Sequence, residues 1–449
     1  MPRLGGVELH QYLLAQSLLY RGHRVIVVTG TYGSTSSRQG VRYLPNGLKV
    51  YYCPTMNFHS QVSLPTVLAF FPLLRDIYIR ERVDIVHGHQ TTSPMTHEAI
   101  LLAGALGLRA VFTDHSLFGF GNAAAVHLNK NLRFSLANVD HSICVSHTLR
   151  ENLVLRAHLN PADVSTIPNA LDHERFKPDP SRAPDPSEKI VIVVLSRLVY
   201  RKGVDIVLDV IPEVCRRFPT VKFIIGGDGP KKQRLDDLCE RHGLSDRVEI
   251  IGEVAQTNVR DVMVRGHIFL NCSLTESFCI AVLEAISCGL HVVATRVGGV
   301  PEIVPEKFIT YAQPNADDVL DKIGSALADV ARRGAWLTEV KPRHEFVAEH
   351  YSWHDVGRRT ESVYRGVMGR PRRPLASRIV RYLDMGGLSG LVFAGVVTLA
   401  HVAVLLLDWA CPRRDVEFAR DRAGETALEE WSEWGGCAGR PDIFLPTSK

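Results

Sequence analysis

The stretch HIFLNCSLTESFCIAVLEAISCG, residues 267–289, decides the fold. HIFLNCS (267–273) is apolar without alternation, so it reads as a strand buried on both faces. The strand should end near Ser273, and a helical pattern begins near Ser277. A strand feeding a helix through a short loop is the repeating unit of a parallel sheet covered by helices. That unit recurs on both sides. KIVIVVLSRL (189–198), VKFIIGG (221–227), RVEIIGEV (247–254) and HVVATRV (291–297) read as further strands separated by helical patterns. Residues 188–345 should therefore form one doubly wound α/β domain.

The first part of the chain repeats this logic. HRVIVVTG (23–30), VDIVHGH (83–89), RAVFTDH (109–115), DHSICVS (140–146) and DVSTIPN (163–169) are strand-like. Residues 1–178 are expected to form a second doubly wound, Rossmann-like domain. KPDPSRAPDPSEK (177–189), rich in Pro, Asp and Ser, has the composition of a linker. Two such domains would face a cleft at the carboxyl ends of their strands, where ligands of open parallel sheets bind. Residues 352–368 read as one closing helix. Only four residues precede Gly5-Gly6, so the strand that would deliver a glycine loop to the cleft is expected to be missing.

A chain of 449 residues suggests two domains plus appendages. With 45% hydrophobic and 22% charged residues it is globular, and a net charge of +4 leaves no polyanion footprint. Nucleic acid is excluded as the main partner. Nine cysteines with no C-x-x-C pair argue against a zinc site and fit a reducing compartment. The sequon at Asn271 falls in a buried strand and should stay bare.

LSGLVFAGVVTLAHVAVLLL (388–407) is long enough to span a bilayer, and that reading is preferred over a buried core helix. Arg370, Arg372, Arg373, Arg378 and Arg381 precede it, and Arg413 and Arg414 follow. The larger basic cluster should stay cytosolic, leaving 408–449 as a short lumenal tail. PTVLAFFPLLRDIYIRER (65–82) could lie on anionic lipid, but packing on its own sheet is preferred.

Three strand-end loops of the second domain carry candidate chemistry. Glu276 sits just ahead of the helix expected from Ser277, and Glu284 lies seven residues after Ser277 on the same helical stripe. Between them the amides of Ser277, Phe278, Cys279 and Ile280 would offer unpaired donors to a diphosphate. The bland alternative is a capping acid plus a solvent glutamate. Placement after a parallel strand shifts the balance. SRLVYRKG (196–203) supplies Arg197 and Lys202, whose charges suit a leaving diphosphate, although solvated cations are the usual fate of such residues. GGDGP (226–230), with Gly229, permits close backbone approach and is weak alone. No D-x-D motif appears, so a metal-bridged diphosphate is not indicated. In the first domain His115 stands at a strand end, where a satisfied structural histidine is the commoner case. His87 and His89 end another strand.

Taken together, SRLVYRKG, GGDGP, the E-x7-E pair and STIPNALD (165–172) resemble the retaining glycosyltransferases of the GT-B fold, family 4. GGVELH (5–10), FTDHSLFGF (112–120) and HIFLNCSLTESFCIAVLEA (267–285) resemble, within it, the catalytic subunits that begin GPI-anchor synthesis. The resemblance covers residues 5 to about 365. It implies transfer of N-acetylglucosamine from UDP-N-acetylglucosamine to phosphatidylinositol, with retention and without a metal or other cofactor. Glu276 would bind sugar hydroxyls and Glu284 the ribose. Arg197 and Lys202 would stabilise the diphosphate. The backbone near Glu253 and Val254 would read uracil, and His115 would face sugar and acceptor. Gly5 and Gly6 would line the phosphate. A multi-subunit complex in the endoplasmic reticulum membrane is also implied, single-pass, with the catalytic part cytosolic. A lipid mannosyltransferase using a GDP donor and a non-enzymatic scaffold subunit remain the rival readings.

Overall fold

The computed structural model describes residues 6–31, 39–44, 47–55, 65–66, 68–119 and 123–419. The chain divides into two compact units, one of residues 1–167 with 354–449 and one of residues 168–353.

The first unit opens with α1 (Gly6–Tyr20), β1 (Ile26–Gly30), β2 (Gly40–Tyr43), β3 (Lys49–Cys53) and α2 (Phe71–Arg80). It continues through β4 (Ile85–His89), α3 (Pro94–Leu106), β5 (Arg109–Asp114), α4 (Ala123–Leu136), β6 (His141–Cys144), α5 (His147–Ala157) and β7 (Val164–Thr166). Among the described residues its strands form two sheets rather than one, in the orders β1-β3-β2 and β4-β5-β6-β7. Among the described residues β1 and β4 each stand at the end of a sheet. The four-stranded sheet is wholly parallel, and every residue of β5 is buried, its charged ends Arg109 and Asp114 paired with Asp140 and Arg156. Ser93 and Ser146 cap α3 and α5, accepting from Thr96 N at 3.3 Å and Leu149 N at 3.1 Å.

The second unit runs β8 (Ile190–Leu195), α6 (Val204–Arg217), β9 (Val221–Gly226), α7 (Lys232–Arg241), β10 (Val248–Gly252) and α8 (Val259–Met263). Then follow β11 (Ile268–Asn271), α9 (Ile280–Ser287), β12 (His291–Thr295), β13 (Ile309–Ala312), α10 (Ala316–Val330) and α11 (Arg333–His350). One parallel sheet has the order β10-β9-β8-β11-β12-β13. Ile192, Phe223, Leu270 and Val293 of the sheet are packed in one core with Ile211 and Val214 of α6 and Ile323 and Leu327 of α10. Each such side chain contributes about 1.5–3 kcal/mol of burial. The chain steps outward from β8 to β10, then returns to β11 on the other side of β8. The β8/β11 junction is therefore the topological switch point, where loops diverge and ligands bind.

The units divide at Ile167, ahead of the Pro-rich 177–189 segment. β7 pairs with β6 and so belongs to the first unit. Residues beyond it already join the second. Leu171 N donates to the Tyr351 carbonyl at 3.0 Å, and Phe176 is buried with its carbonyl accepting from Ser287 Oγ at 3.1 Å. At the other end the chain returns to the first unit through α12 (Trp353–Met368), α13 (Leu375–Leu383) and α14 (Gly387–Ala410). In α12, Glu361 pairs with Arg21, and Arg359 donates to the Thr166 carbonyl at 2.6 Å.

By length and composition α14 is able to cross a membrane. Beyond α14, Ala419 N donates to the Arg80 carbonyl of α2 at 2.9 Å. Helix α2 is itself packed inward through Phe71, Leu74, Ile77 and Tyr78. Asn271 of the sequon is buried in β11, and among the described cysteines only Cys411 is exposed.

Candidate active site

Because β8 and β11 are neighbours, the loops that follow them meet. The β8 loop, residues 196–203, ends in a single 3-10 turn, Tyr200–Lys202, closed by Gly203 at φ +67°. A Cβ at Gly203 would stand 1.7 Å from the Cys272 carbonyl oxygen, so only glycine lets the two loops come this close. Leu274 N donates to the Arg201 carbonyl at 2.9 Å and stitches them together. The third loop joins from β9. Leu198 N donates to the Asp228 carbonyl at 2.8 Å, and Gly229 lies against the Leu198 backbone. Val254 follows β10, half-buried on the next loop.

This stitching brings Lys202 to Glu276. Lys202 Nζ donates to Glu276 Oε1, and Ser273 Oγ donates to the same oxygen at 2.8 Å. The main chain of Glu276 is fixed as well, its carbonyl accepting from Gly299 N at 3.0 Å. Burial alone would lower the Lys202 pKa, but the Glu276 carboxylate more than offsets it and holds the ammonium above its usual value. The site therefore keeps a permanent cation beside a carboxylate. Arg197 lies exposed on the same loop, close enough for its charge to be felt at Lys202.

The β11 loop departs from the expected helix geometry. Cys279 has φ +100°, outside the right-handed region, so α9 begins at Ile280 rather than near Ser277. Glu276 and Glu284 therefore do not share one helical stripe. Ser277 is half-buried and Phe278 and Cys279 are buried. Asn271 Nδ2 donates to Cys279 Sγ at 3.0 Å while its Oδ1 accepts from Ser273 N at 3.0 Å, holding the strained turn from beneath. Glu284, on the first turns of α9, is buried and accepts from Gln256 Nε2 at 2.8 Å; Arg175 Nη2 donates to the Gln256 carbonyl at 2.5 Å. Burial pushes the Glu284 carboxyl up to about 6, against the opposing effects of Gln256 and Arg175.

In the first unit His115 follows β5 and joins a group of imidazoles. His89 Nδ1 and His115 Nε2 are 3.2 Å apart, and the His87 and His89 rings stack at 4.4 Å. His10 of α1 meets His115 edge-on at 4.6 Å. His87 bonds Tyr364 of α12 and Thr113, both at 2.7 Å. Burial, then the neighbouring histidines, push His87 down to about 3 and hold His89 and His115 well below the usual range. His87, His89 and His115 are therefore neutral at physiological pH. Ligand nitrogens of His10, His89 and His115 lie within 4.8 Å of one another, a spacing able to hold a metal ion. Gly6 is the first residue of α1, and Gly5 lies outside the described residues.

Sequence reasoning did not single out His10, Gln256, Arg175, Ser273 or Tyr364. His10 ends the GGVELH motif, and Gln256 lies on the loop after β10, so strand-end position was the available signal for Gln256.

A parallel sheet with cation, carboxylate and glycine loops at its switch point defines the glycosyltransferase class with the GT-B fold. Residues 176–341 match the model of glycosyl transferases group 1, and residues 33–122 match the model described as PIGA (GPI anchor biosynthesis). Among solved structures, sucrose-phosphate synthase from Thermosynechococcus elongatus superposes with a TM-score of 0.66 at 19% identity, covering 81% of this chain and 94% of that one. WaaG, a glycosyltransferase involved in lipopolysaccharide biosynthesis, superposes with a TM-score of 0.58 at 16% identity, covering 82% and 97%. A phosphatidylinositol N-acetylglucosaminyltransferase subunit of Arabidopsis thaliana is 49% identical over 94% of this chain and 92% of its own length. The human protein of the same name is 45% identical over 94% and 86%. The gpi3 subunit of the Schizosaccharomyces pombe transferase is 46% identical over 95% and 91%. The chain belongs to this PIGA and GPI3 family of phosphatidylinositol N-acetylglucosaminyltransferase subunits.

Proposed function

We propose that this glycosyltransferase moves N-acetylglucosamine from UDP-N-acetylglucosamine to phosphatidylinositol, the first step of GPI-anchor biosynthesis. It would act as the catalytic subunit of a multi-subunit complex in the endoplasmic reticulum membrane, with both units cytosolic and α14 its anchor. The observation that carries the reading is the Lys202–Glu276 pair at the β8/β11 switch point. The relatives' names supply the donor and acceptor.

The residues divide the work. Lys202 and Arg197 stabilise the diphosphate as the bond from the anomeric carbon to its oxygen breaks. The amides of Ser277, Phe278, Cys279 and Ile280, with the backbone of Gly229, receive the phosphates; Gly5 and Gly6 would line them from the first unit. Once the diphosphate draws on Lys202, Glu276 is released to accept from sugar hydroxyls. Glu284 accepts from the ribose, and the backbone at Val254 meets the uracil. His115, neutral, contacts sugar and acceptor. The inositol hydroxyl attacks on the face the diphosphate leaves, and the departing phosphate oxygen takes its proton, so configuration is retained. The two cations make a metal unnecessary.

The test is incubation of the assembled complex with labelled UDP-N-acetylglucosamine and phosphatidylinositol. A labelled lipid with an α-linked sugar, formed equally with and without a chelator, is expected. No labelled lipid, or label only from a GDP-sugar, would overturn the reading.

Glu284 supplies a second check. Its carboxyl titrates near 6 when folded against 4.5 unfolded, so stability falls as pH rises from 4.5 to about 6, and the cost persists above that. A shift of this size corresponds to about 2 kcal/mol at pH 7.5. Glu284→Gln keeps an acceptor for Gln256 and removes the charge. The ligand-free variant should melt a few degrees higher at pH 7.5 and no higher at pH 4.5. Its KM for the donor should rise roughly tenfold, the loss of one charge-assisted bond to the ribose. Unchanged KM would remove the ribose role.

A further inference from the structure

We propose that His10, His89 and His115 form a binding site for a divalent ion of the zinc type, and that an ion bound there withdraws His115 from the transfer reaction. The second half rests on the role given to His115 above; the first half does not.

Three elements of the first unit bring the imidazoles together. His89 is the last residue of β4 and His115 follows β5. The register of these parallel neighbours sets His89 opposite Thr113, two residues before His115. His10 comes from the second turn of α1. One ligand nitrogen from each converges, all within 4.8 Å of one another. His89 Nδ1 and His115 Nε2 stand 3.2 Å apart. Two nitrogens held by one tetrahedral zinc at about 2.0–2.1 Å stand about 3.3 Å apart, so this pair is already at ligand spacing. In the ion-free protein the same distance suits an N–H···N bond. Moving that proton to the other ring nitrogen turns both lone pairs toward an ion.

The surroundings hold the ligands in place. His10 and His89 are buried, so little side-chain freedom is left to lose on binding. His87 stacks on His89 at 4.4 Å and is itself fixed by Tyr364 and Thr113, each at 2.7 Å. Both His87 nitrogens are thus engaged, and the ring supports the site without being a ligand. His115 is half-buried, which gives the ion its way in. Three histidines with water as the fourth ligand make a stable zinc set.

The ligands also choose the ion. Imidazole suits Zn²⁺, Cu²⁺ and Ni²⁺, whereas Mg²⁺, Ca²⁺ and Mn²⁺ prefer oxygen. The set contains no carboxylate, and the adjacent Asp114 is committed to Arg156 and Thr91. With its lone pair on the metal, His115 no longer contacts sugar or acceptor. The ion is therefore a reversible brake and takes no part in transfer.

The assembled complex, stripped of metal and freed of chelator, is titrated with Co²⁺ and then Zn²⁺ in the absence of substrates. Co²⁺ should give the intense visible bands of a four-coordinate site. One equivalent of Zn²⁺ should abolish them, and an excess of Mg²⁺ should not. His89→Gln should bind one equivalent fewer than the parent complex. His10→Gln should bind at least about 10²-fold more weakly, beyond the roughly 10- to 100-fold cost of losing a supporting partner. Labelled-lipid formation is then measured with one equivalent of Zn²⁺. Inhibition of about tenfold or more is expected, the loss of at least one hydrogen bond, and a chelator should reverse it. Only the weak bands of six-coordinate Co²⁺, or equal ion content in the parent and His89→Gln, would overturn the site. Full transfer with Zn²⁺ bound would overturn the brake. Ion binding is read without substrates, so a complex that failed to transfer sugar would leave the site standing.

Discussion

Glu276→Ala is expected to lower transfer by at least 10²- to 10³-fold while leaving the protein folded and in its complex. The two effects separate because of what Glu276 touches. It accepts from Lys202 and Ser273, both on loops, and carries no part of the core. Its removal leaves a half-buried ammonium without its carboxylate, a loss of roughly 1–3 kcal/mol. That lowers the melting temperature by several degrees and does not unfold a unit of this size. The rate falls much further, because the same carboxylate would have held the sugar while Lys202 held the diphosphate. Glu276→Gln sharpens the result, since it keeps the Ser273 bond and the shape but not the charge. It should remain at least 10²-fold impaired if charge matters. The measurement is initial rate of labelled lipid per quantity of assembled complex. Activity above half of normal in Glu276→Ala would end the assignment.

The sheet of the second unit was legible because parallel strands buried on both faces appear as unbroken apolar runs. VKFIIGG (221–227) becomes β9, Val221–Gly226, and HVVATRV (291–297) becomes β12, His291–Thr295. The loops at the switch point were legible for a similar reason, since Lys202 and Gly203 lie on the loop that follows a strand. What pattern could not supply was conformation and long-range pairing. Nothing in apolar spacing marks Cys279 as a residue of positive φ, so the start of α9 was placed three residues early. His10 meets His115 across 105 positions of sequence, a contact only the tertiary fold creates. Nothing in the sequence around Arg75 marks it for burial. It is buried because Asp408 and the Cys411 carbonyl, more than 300 residues away, satisfy it. The break between units was hidden for another reason. Composition marked the Pro-rich segment, whereas hydrogen bonds from Leu171 and to Phe176 had already committed the chain to the second unit.

Arg156→Met is expected to destabilise the first unit by roughly 3–5 kcal/mol, the loss that follows when one partner of a buried ion pair is removed. Arg156 and Asp114 are both fully buried, with Nη1 3.4 Å from Asp114 Oδ2. Arg156 Nε also donates to Asn129 Oδ1 at 2.7 Å, and its guanidinium lies 4.9 Å from the Phe118 ring. Asp114 Oδ1 accepts from Thr91 Oγ1 at 2.8 Å and from His115 N at 3.0 Å, so the pair fixes the backbone that presents His115. Burial raises the Asp114 pKa even with Arg156, Thr91 and two amides opposing it. Without Arg156 it must rise further. A carboxyl whose folded pKa exceeds its unfolded value loses stability as pH climbs from the unfolded value through the folded one. The variant's deficit should therefore be larger at pH 7.5 than at pH 5. Adding Asp114→Asn keeps the acceptor for Thr91 and His115 but removes the stranded charge, and should recover at least half of the deficit. Thermal unfolding of the purified complex at the two pH values measures both effects. Equal deficits at pH 5 and 7.5, with no recovery in the double variant, would show that Arg156 acts through packing on Phe118 and Asn129 rather than through its charge.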